Sequence, residues 1–458
     1  GTSYAAPQVS GAVALLAAHF PNQTPEQWTD RLLASANNAI GFTQIDTVTF
    51  GNGVIHGYSN EAGHGLLDIY DALQPITSTS YARGIYGGAN NLAGQHYELL
   101  QSHLRSTRSF GDGLSNGLQG EENYFFDALG GGFKYNMSGH VSKVAQNTKV
   151  IDLTKELASL KPVNDNFRID SVTSFDGSAV DKTPDHDGHR FITTVGAASP
   201  AVQSFFNFGS NSLAAYSDYD TPYLSSKEGG VGFAYIHDNG KIKYLVAFNR
   251  PVEHGSNDET LGQQTSTVFA VDNSITPTFN LGIIAGEATE DDGFLGLKGT
   301  EAFTLEGADS RTDFVGAKFG FLPTKTTKLS GMVTLGKSVM ERPDFGILSG
   351  ANDVRSSSFG LVLEKFGLFG SDNLALSISQ PNRVDQGHMD IKLTNLSDSD
   401  GNLTYRNENV SIVPSGRQLD LGIAYAKSIS ENLSFSTKVI GTKEINHVKS
   451  AKDVLIGF

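Results

Sequence analysis

Leu419-Asp420-Leu421-Gly422-Ile423-Ala424-Tyr425 alternates strictly, with large apolar side chains at one parity and small or polar ones at the other. A period of two is the spacing of a β-strand, in which successive side chains leave opposite faces. The same pattern recurs in Leu374-Ala375-Leu376-Ser377-Ile378-Ser379 and at Leu433, Phe435, Thr437 and Val439. From about residue 164 onward, runs of this kind alternate with turn signals, which reads as a large antiparallel all-β domain. Asn239-Gly240, between Gly232–His237 and Lys241–Asn249, predicts a two-residue hairpin, and Asp292-Gly293 and Asp400-Gly401 are expected to repeat it. Alternation leaves two architectures open. In a soluble sandwich the apolar face points inward, whereas in an outer-membrane barrel it points at lipid and the polar face lines the interior.

Working outward to the N-terminus, the period changes. Val9, Ala12, Val13, Leu16 and Phe20 recur at helical spacing, and Pro7 is expected in the first turn of that helix. Thr24, Pro25 and Gln27 form a capping pattern that starts a second helix running to about Asn37. Gly63-His64-Gly65 then precedes a short closing helix that ends near Leu73. Between Gln74 and Val163 local pattern does not decide the fold. The expected units are therefore 1–73, 74–163 and 164–458.

Composition bounds the function. The chain has 458 residues, no cysteine and a formal net charge of −15. Without thiols there are no disulfides and no thiolate metal sites. The acidic balance argues against a nucleic-acid partner, since phosphate binding needs a basic face. The longest mostly apolar run, Gly11–Phe20, is too short for a transmembrane helix, which takes about 20 residues.

Gly1-Thr2-Ser3-Tyr4-Ala5-Ala6-Pro7 carries the chemistry. It has the form Gly-Thr-Ser-x-Ala-x-Pro and resembles the segment bearing the nucleophilic serine of subtilisin-like serine peptidases, the subtilases. A serine at a helix N-terminus faces unpaired N–H groups and the positive end of the helix dipole, where an oxyanion would be stabilised. The resemblance implies that Ser3 is the nucleophile and that its backbone N–H supplies part of the oxyanion hole. Thr2 helps to hold the turn, Gly1 belongs to the same motif, and Pro7 fixes helix entry. Subtilases order their triad Asp, His, Ser along the chain, so both partners of Ser3 are expected upstream, and these 458 residues alone are expected to be inactive. Read without the resemblance, Gly-Thr-Ser is simply a helix cap.

Two further elements look like pieces of autotransporter-like subtilases of Gram-negative bacteria. Phe110-Gly111-Asp112-Gly113-Leu114 with Tyr124-Phe125-Phe126-Asp127-Ala128-Leu129-Gly130 is similar to their connector. Ser379-Gln380-Pro381-Asn382-Arg383-Val384 and Pro414-Ser415-Gly416-Arg417-Gln418-Leu419-Asp420 are similar to signature pieces of their C-terminal β-domain. Phe458, with Ile456 and Val454 on its face, is similar to a closing outer-membrane strand, although the clean alternation stops at Asp453. The resemblance implies that the C-terminal β-domain is an autotransporter-like barrel for export or surface anchoring, and it implies a polypeptide substrate, a location at the cell surface, in the outer membrane or secreted, and no cofactor apart from calcium sites that cannot be placed. The rival reading is a structural or surface barrel with a vestigial peptidase segment.

Other candidates read more plainly. His64 follows Ser3 in the closing segment and is expected to be structural. Asp185-His186-Asp187-Gly188-His189 follows a proline in a polar stretch and is expected to be a loop rather than a metal site. Glu121-Glu122 and Asp291-Asp292 are adjacent pairs whose side chains diverge. Gly130-Gly131-Gly132 lacks the Lys-Ser/Thr of a phosphate loop.

Overall fold

The computed structural model describes residues 2–39, 43–76, 86–87, 97–142, 179–181, 189–196, 223, 230–238, 241–251, 263–370, 372–397, 403–430 and 433–457. The N-terminal part is helical. Helix α1 spans Thr2–His19 and α2 spans Pro25–Ala34, followed by the hairpin β1 (Asp46–Thr49) and β2 (Ile55–Tyr58) and a one-turn helix α3 (Ile69–Ala72). The start of α2 is the expected capping box: Thr24 Oγ1 accepts from Gln27 N, and the Gln27 side chain accepts from Thr24 N at 2.8 Å. Its end comes at Ala34, earlier than expected, because Ser35 and Ala36 turn the chain into the bridge that pairs Asn37 with Leu66.

The described part of the connector, residues 97–142 with 86–87, is folded. Strands β3 (Tyr86–Gly87), β4 (Tyr97–Glu98), β6 (Glu122–Phe126) and β7 (Gly132–Asn136) form one small sheet. Strand β5 (His103–Arg105) pairs with β8 (Val141–Ser142), and a short helix α4 spans Gly113–Gly117. Local pattern left this part undecided because its strands are two to five residues long, too short to show a period.

The rest is one large antiparallel sheet. Its strands are β9 (Ala179–Asp181), β10 (His189–Gly196), β11 (Gly230–Asp238), β12 (Ile242–Pro251), β13 (Gln263–Thr276), β14 (Phe279–Asp291), β16 (Asp309–Thr324), β17 (Thr327–Met340), β18 (Leu348–Phe366), β19 (Asp372–Ser397), β20 (Leu403–Ser411), β21 (Leu419–Ser430), β22 (Leu433–Lys443) and β23 (Lys452–Gly457). A short β15 (Lys298–Thr300) lies in the connection from β14 to β16 and pairs with β5. Sequential strands are neighbours in the sheet, so its order simply follows the chain. The exception is β19, whose first half pairs with β21 while its second half pairs with β20. β18 flanks that second half only as far as Ile391, so the remainder projects past β18 as an arm paired with β20. β9 and β23 are not paired with each other, so the described strands do not close into a barrel.

Two turn expectations change. The β11–β12 ladder closes at Asp238↔Lys243, so residues 239–242 intervene, not two residues; Asn239-Gly240 itself lies outside the described residues. Asp292 does adopt a left-handed φ of 51°, but β14 next pairs with β16 from Asp309, so the chain makes an excursion over 292–308 instead of a tight hairpin. Asp400-Gly401 lies outside the described residues, between the paired β19 and β20.

The polarity of the sheet is inside out. Val315 is 54 % exposed, Ile283 62 %, Leu421 60 % and Val454 65 %, and Phe269, Val333, Leu335, Leu361, Leu376, Ile423 and Ile456 are exposed with them. The opposite face is buried and carries mostly small and polar residues, around a small apolar cluster that includes Leu245, Val268, Ile284 and Phe314. There Lys318 Nζ lies 2.6 Å from Asp272 Oδ2, Thr312 bonds Ser338 at 2.8 Å, and Thr442 Oγ1 donates to Asp420. Tyr223 fills part of this face, its ring stacked on Phe314 at 5.1 Å and its hydroxyl 2.8 Å from Ser356 Oγ. Gly336 admits that ring, since a β-carbon there would meet the phenol.

The ends of the sheet also differ. At one end the connections are brief: 277–278, 325–326, 367–371 and 431–432. At the other they are long, including 292–308, 341–347, 412–418 and 444–451, and here they build the largest apolar core among the described residues together with the connector.

Candidate active site

Ser3 lies in the first turn of α1, as its motif requires, and it is exposed. The first four N–H groups of a helix have no intrahelical acceptor, so the hydroxyl stands beside the positive end of the helix dipole. Pro7 is not in the first turn. It lies in the second, because the helix already begins at Thr2. Pro has no N–H, and the carbonyl four residues before it is that of Ser3, so this carbonyl loses its usual helical partner. The proline thus loosens the hydrogen-bond ladder at the serine itself. Gly1 lies outside the described residues.

One side of α1 holds the helix in place. Ala12, Leu16 and Phe20 are buried against Leu32 and Ala72, with Val13, Trp28, Ile69 and Leu73 packed around them. Trp28 Nε1 donates to Phe20 O at 2.9 Å. On the other side Tyr4 is 80 % exposed, and Val9 and Leu15 are exposed with it.

A buried ion pair, which the sequence reading missed, fixes this unit to the connector. Arg31 on α2 and Asp127 after β6 meet at 2.5 Å with both side chains fully buried. The guanidinium lies 4.3 Å from the Phe20 ring centroid and donates to Ala72 O and Gln74 O, each at 3.2 Å. Asp127 also accepts from the N–H groups of Ile76, Leu129 and Gly131 at 2.8–3.0 Å. Gly130-Gly131-Gly132 gains its purpose here: a β-carbon at Gly131 would collide with the guanidinium. The signal available in the sequence was an arginine beside Trp28 and Leu32 on an otherwise apolar helix face.

The remaining candidates behave as structural groups. His64 sits among the rings of Phe50, His56 and Tyr58, each 5.6 Å away. Burial lowers its pKa and the neighbouring His56 adds to that, so the ring is held neutral in an aromatic cluster. Glu121 meets Arg406 at 3.4 Å while Glu122 meets Lys134 at 3.3 Å, so the adjacent acids diverge to different partners. Asp291 is exposed, and Asp292 accepts from Gly307 N at 2.7 Å. Residues 185–188 lie outside the described residues, as does the side chain of His189. Among the described residues no group of three or more metal-ligating side chains comes together, and no helix is long and apolar enough to cross a membrane.

No curated protein matches this chain. The model of the subtilase family matches residues 1–65, the stretch that contains α1, α2 and the β1–β2 hairpin, so this N-terminal stretch is similar to part of a subtilisin-like serine peptidase.

Proposed function

We propose that Ser3 is the nucleophile of a serine endopeptidase whose base and orienting carboxylate are contributed by polypeptide that precedes Gly1. The observation that carries this reading is the exposed Ser3 hydroxyl in the first turn of α1, inside the stretch that matches the subtilase family. A serine hydroxyl needs a histidine to take its proton and a carboxylate to orient that histidine. With both in place, Ser3 Oγ attacks the scissile carbonyl, the histidine receives the proton and passes it to the leaving amine, and water then cleaves the acyl-enzyme. The Ser3 backbone N–H faces the developing oxyanion. The exposed Tyr4, Val9 and Leu15 form a natural seat for the rest of such a domain.

The β-domain supports an outer-membrane role in the same protein. Exposing a broad apolar face while enclosing lysines, acids and hydroxyls is unfavourable in water but is the arrangement lipid selects. Strands β13, β14, β16, β17 and β18 have 13–19 residues, beyond the roughly 9–11 that a tilted strand needs to cross a bilayer. Brief turns at one end and long connections at the other match the periplasmic and outer sides of such a barrel, so the peptidase unit would stand outside the cell.

Replacing Ser3 with Ala in a full-length protein should abolish peptide hydrolysis, and retained activity refutes the assignment. These 458 residues alone should not be labelled by a serine-directed phosphonate. Refolding into detergent with heat-modifiable gel migration supports the barrel, whereas a monomer that stays dispersed without detergent counts against it.

A further inference from the structure

Three stretches that resemble family signatures take no part in the proposed hydrolysis, and the fold brings them to one place. Phe110–Leu114 of the connector, Ser379–Val384 of β19 and Pro414–Asp420 before β21 converge at the long-connection end of the sheet, beside the 444–449 turn. Asp112 accepts from Ser415 N at 2.8 Å and from Ser415 Oγ at 2.6 Å. Asn382 Nδ2 donates to Ser109 Oγ at 3.2 Å, and Val384 N donates to Ser109 O at 2.9 Å. Arg383 donates to Gly416 O and Pro414 O, which holds the receiving loop in shape from below. The fit leaves no spare room, because a β-carbon at Gly111, Gly113 or Gly117 would run into the carbonyls of Asn446, Ile412 and Ser411 respectively.

Beneath this polar layer lies a continuous apolar core. Phe110, Leu114 and Leu118 from the connector are fully buried with Phe294, Ile391 and Ile412 from the sheet end. The contact extends along the projecting arm: Thr394 N donates to Asn123 Oδ1 at 2.6 Å, Arg406 donates to Glu122 O at 2.6 Å, and β5 adds β15 as a neighbouring strand. The other side of the connector grips the peptidase fragment through Arg31–Asp127, Gln23 to Leu129 O at 2.7 Å and Asn52 to Ala128 O at 2.8 Å. A clamp with both faces buried does not depend on the backbone between residues 143 and 229 to stay in place.

We propose that the long-connection end of the sheet is a receptor surface whose partner is the 97–142 connector of this chain, so that the 1–142 unit stays bound to the sheet after the intervening backbone is cut. This goes beyond the hydrolytic reading: it makes the β-domain a non-covalent holder that retains its cargo instead of shedding it.

The test inserts a recognition sequence for a site-specific protease after Leu160 in the full chain, cuts it, and follows both fragments by size exclusion in the buffer in which the chain is folded. Co-elution, lost in denaturing urea, is expected; separation of the fragments in native buffer overturns the proposal. Leu114→Asp and Gly117→Leu each strike the connector face turned to the sheet, and either should speed release of the cut fragment at least tenfold. The emission of Trp28 shows whether the peptidase fragment remains folded in each variant. Release unchanged in both variants, with native Trp28 emission, equally overturns the proposal. Neither peptidase activity nor membrane insertion is read, so failure of the functional reading leaves this outcome intact, and the reverse also holds.

Discussion

Removing the Asp127 carboxylate is the sharpest perturbation the structure offers. In Asp127→Ala the Arg31 guanidinium keeps its charge in a fully buried site, and the N–H groups of Ile76, Leu129 and Gly131 lose their acceptor. Breaking a buried pair from one side costs about 3–5 kcal/mol, because the surviving charge has no water to turn to. The chain offers a local probe: it has one tryptophan, Trp28, packed on the same small core that Arg31 closes. Excited selectively, it reports unfolding of this unit without interference from the sheet. With a denaturant slope of about 1.5 kcal/mol per molar urea, the loss moves the Trp28 midpoint down by about 2–3 M, or leaves the unit unfolded in plain buffer. Arg31→Met combined with Asp127→Ala should lose less than the sum of the single changes, since the stranded charge is gone while the orphaned N–H groups remain. A Trp28 midpoint in Asp127→Ala within about 0.3 M of the parent would refute the claim that this pair holds the N-terminal helices to the connector.

Further outcomes follow from the sheet and its end. His447 accepts from Gln418 N at Nδ1 (2.9 Å) and approaches Asn382 O with Nε2 at 3.0 Å. Burial lowers its pKa to about 3, helped by Arg383, Arg108 and Arg417, while Asp385 is paired with two of these arginines. A group depressed below its ordinary value near 6.5 stabilises the fold fully above that pH and loses the contribution as pH falls toward 3. The thermal midpoint should therefore drop more steeply between pH 7 and pH 4 than in His447→Gln, and parallel curves would count against it. Leu421→Arg on the exposed face should cost about 2–4 kcal/mol of refolding stability in lipid if that position lies near the bilayer midplane, and an unchanged refolding yield speaks against lipid contact. Gly336→Val should displace the Tyr223 ring from Phe314, measurable as faster hydrogen exchange of the Gly336 neighbours, whereas Gly441→Ala, with open space around it, should change nothing.

The boundary between what was legible and what was not follows the range of the interactions. The capping box at Thr24 is set by contacts within four residues, so local sequence sufficed to place it, and the helix at Ser3 was legible too, although Pro7 lies one turn further in than expected. Alternation at Leu419–Tyr425 likewise declared a strand, because the pleat assigns side chains to faces without reference to any neighbour. Which face is buried could not be read in this way. Leu421 points outward and Asp420 inward only because the whole sheet encloses its polar side, and that choice depends on strands as distant as β13 and β16. The joining of Arg31 to Asp127, and of Asp112 to Ser415, depends on chain separations of 96 and 303 residues. No periodicity spans such intervals. The sequence by itself determined the placing of Ser3 at a helix N-terminus and the strand-rich character of the larger part. The tertiary structure alone decided the direction of the apolar face and the packing of the connector between the N-terminal helices and the sheet end, because burial is a property of the assembled fold and not of any one segment.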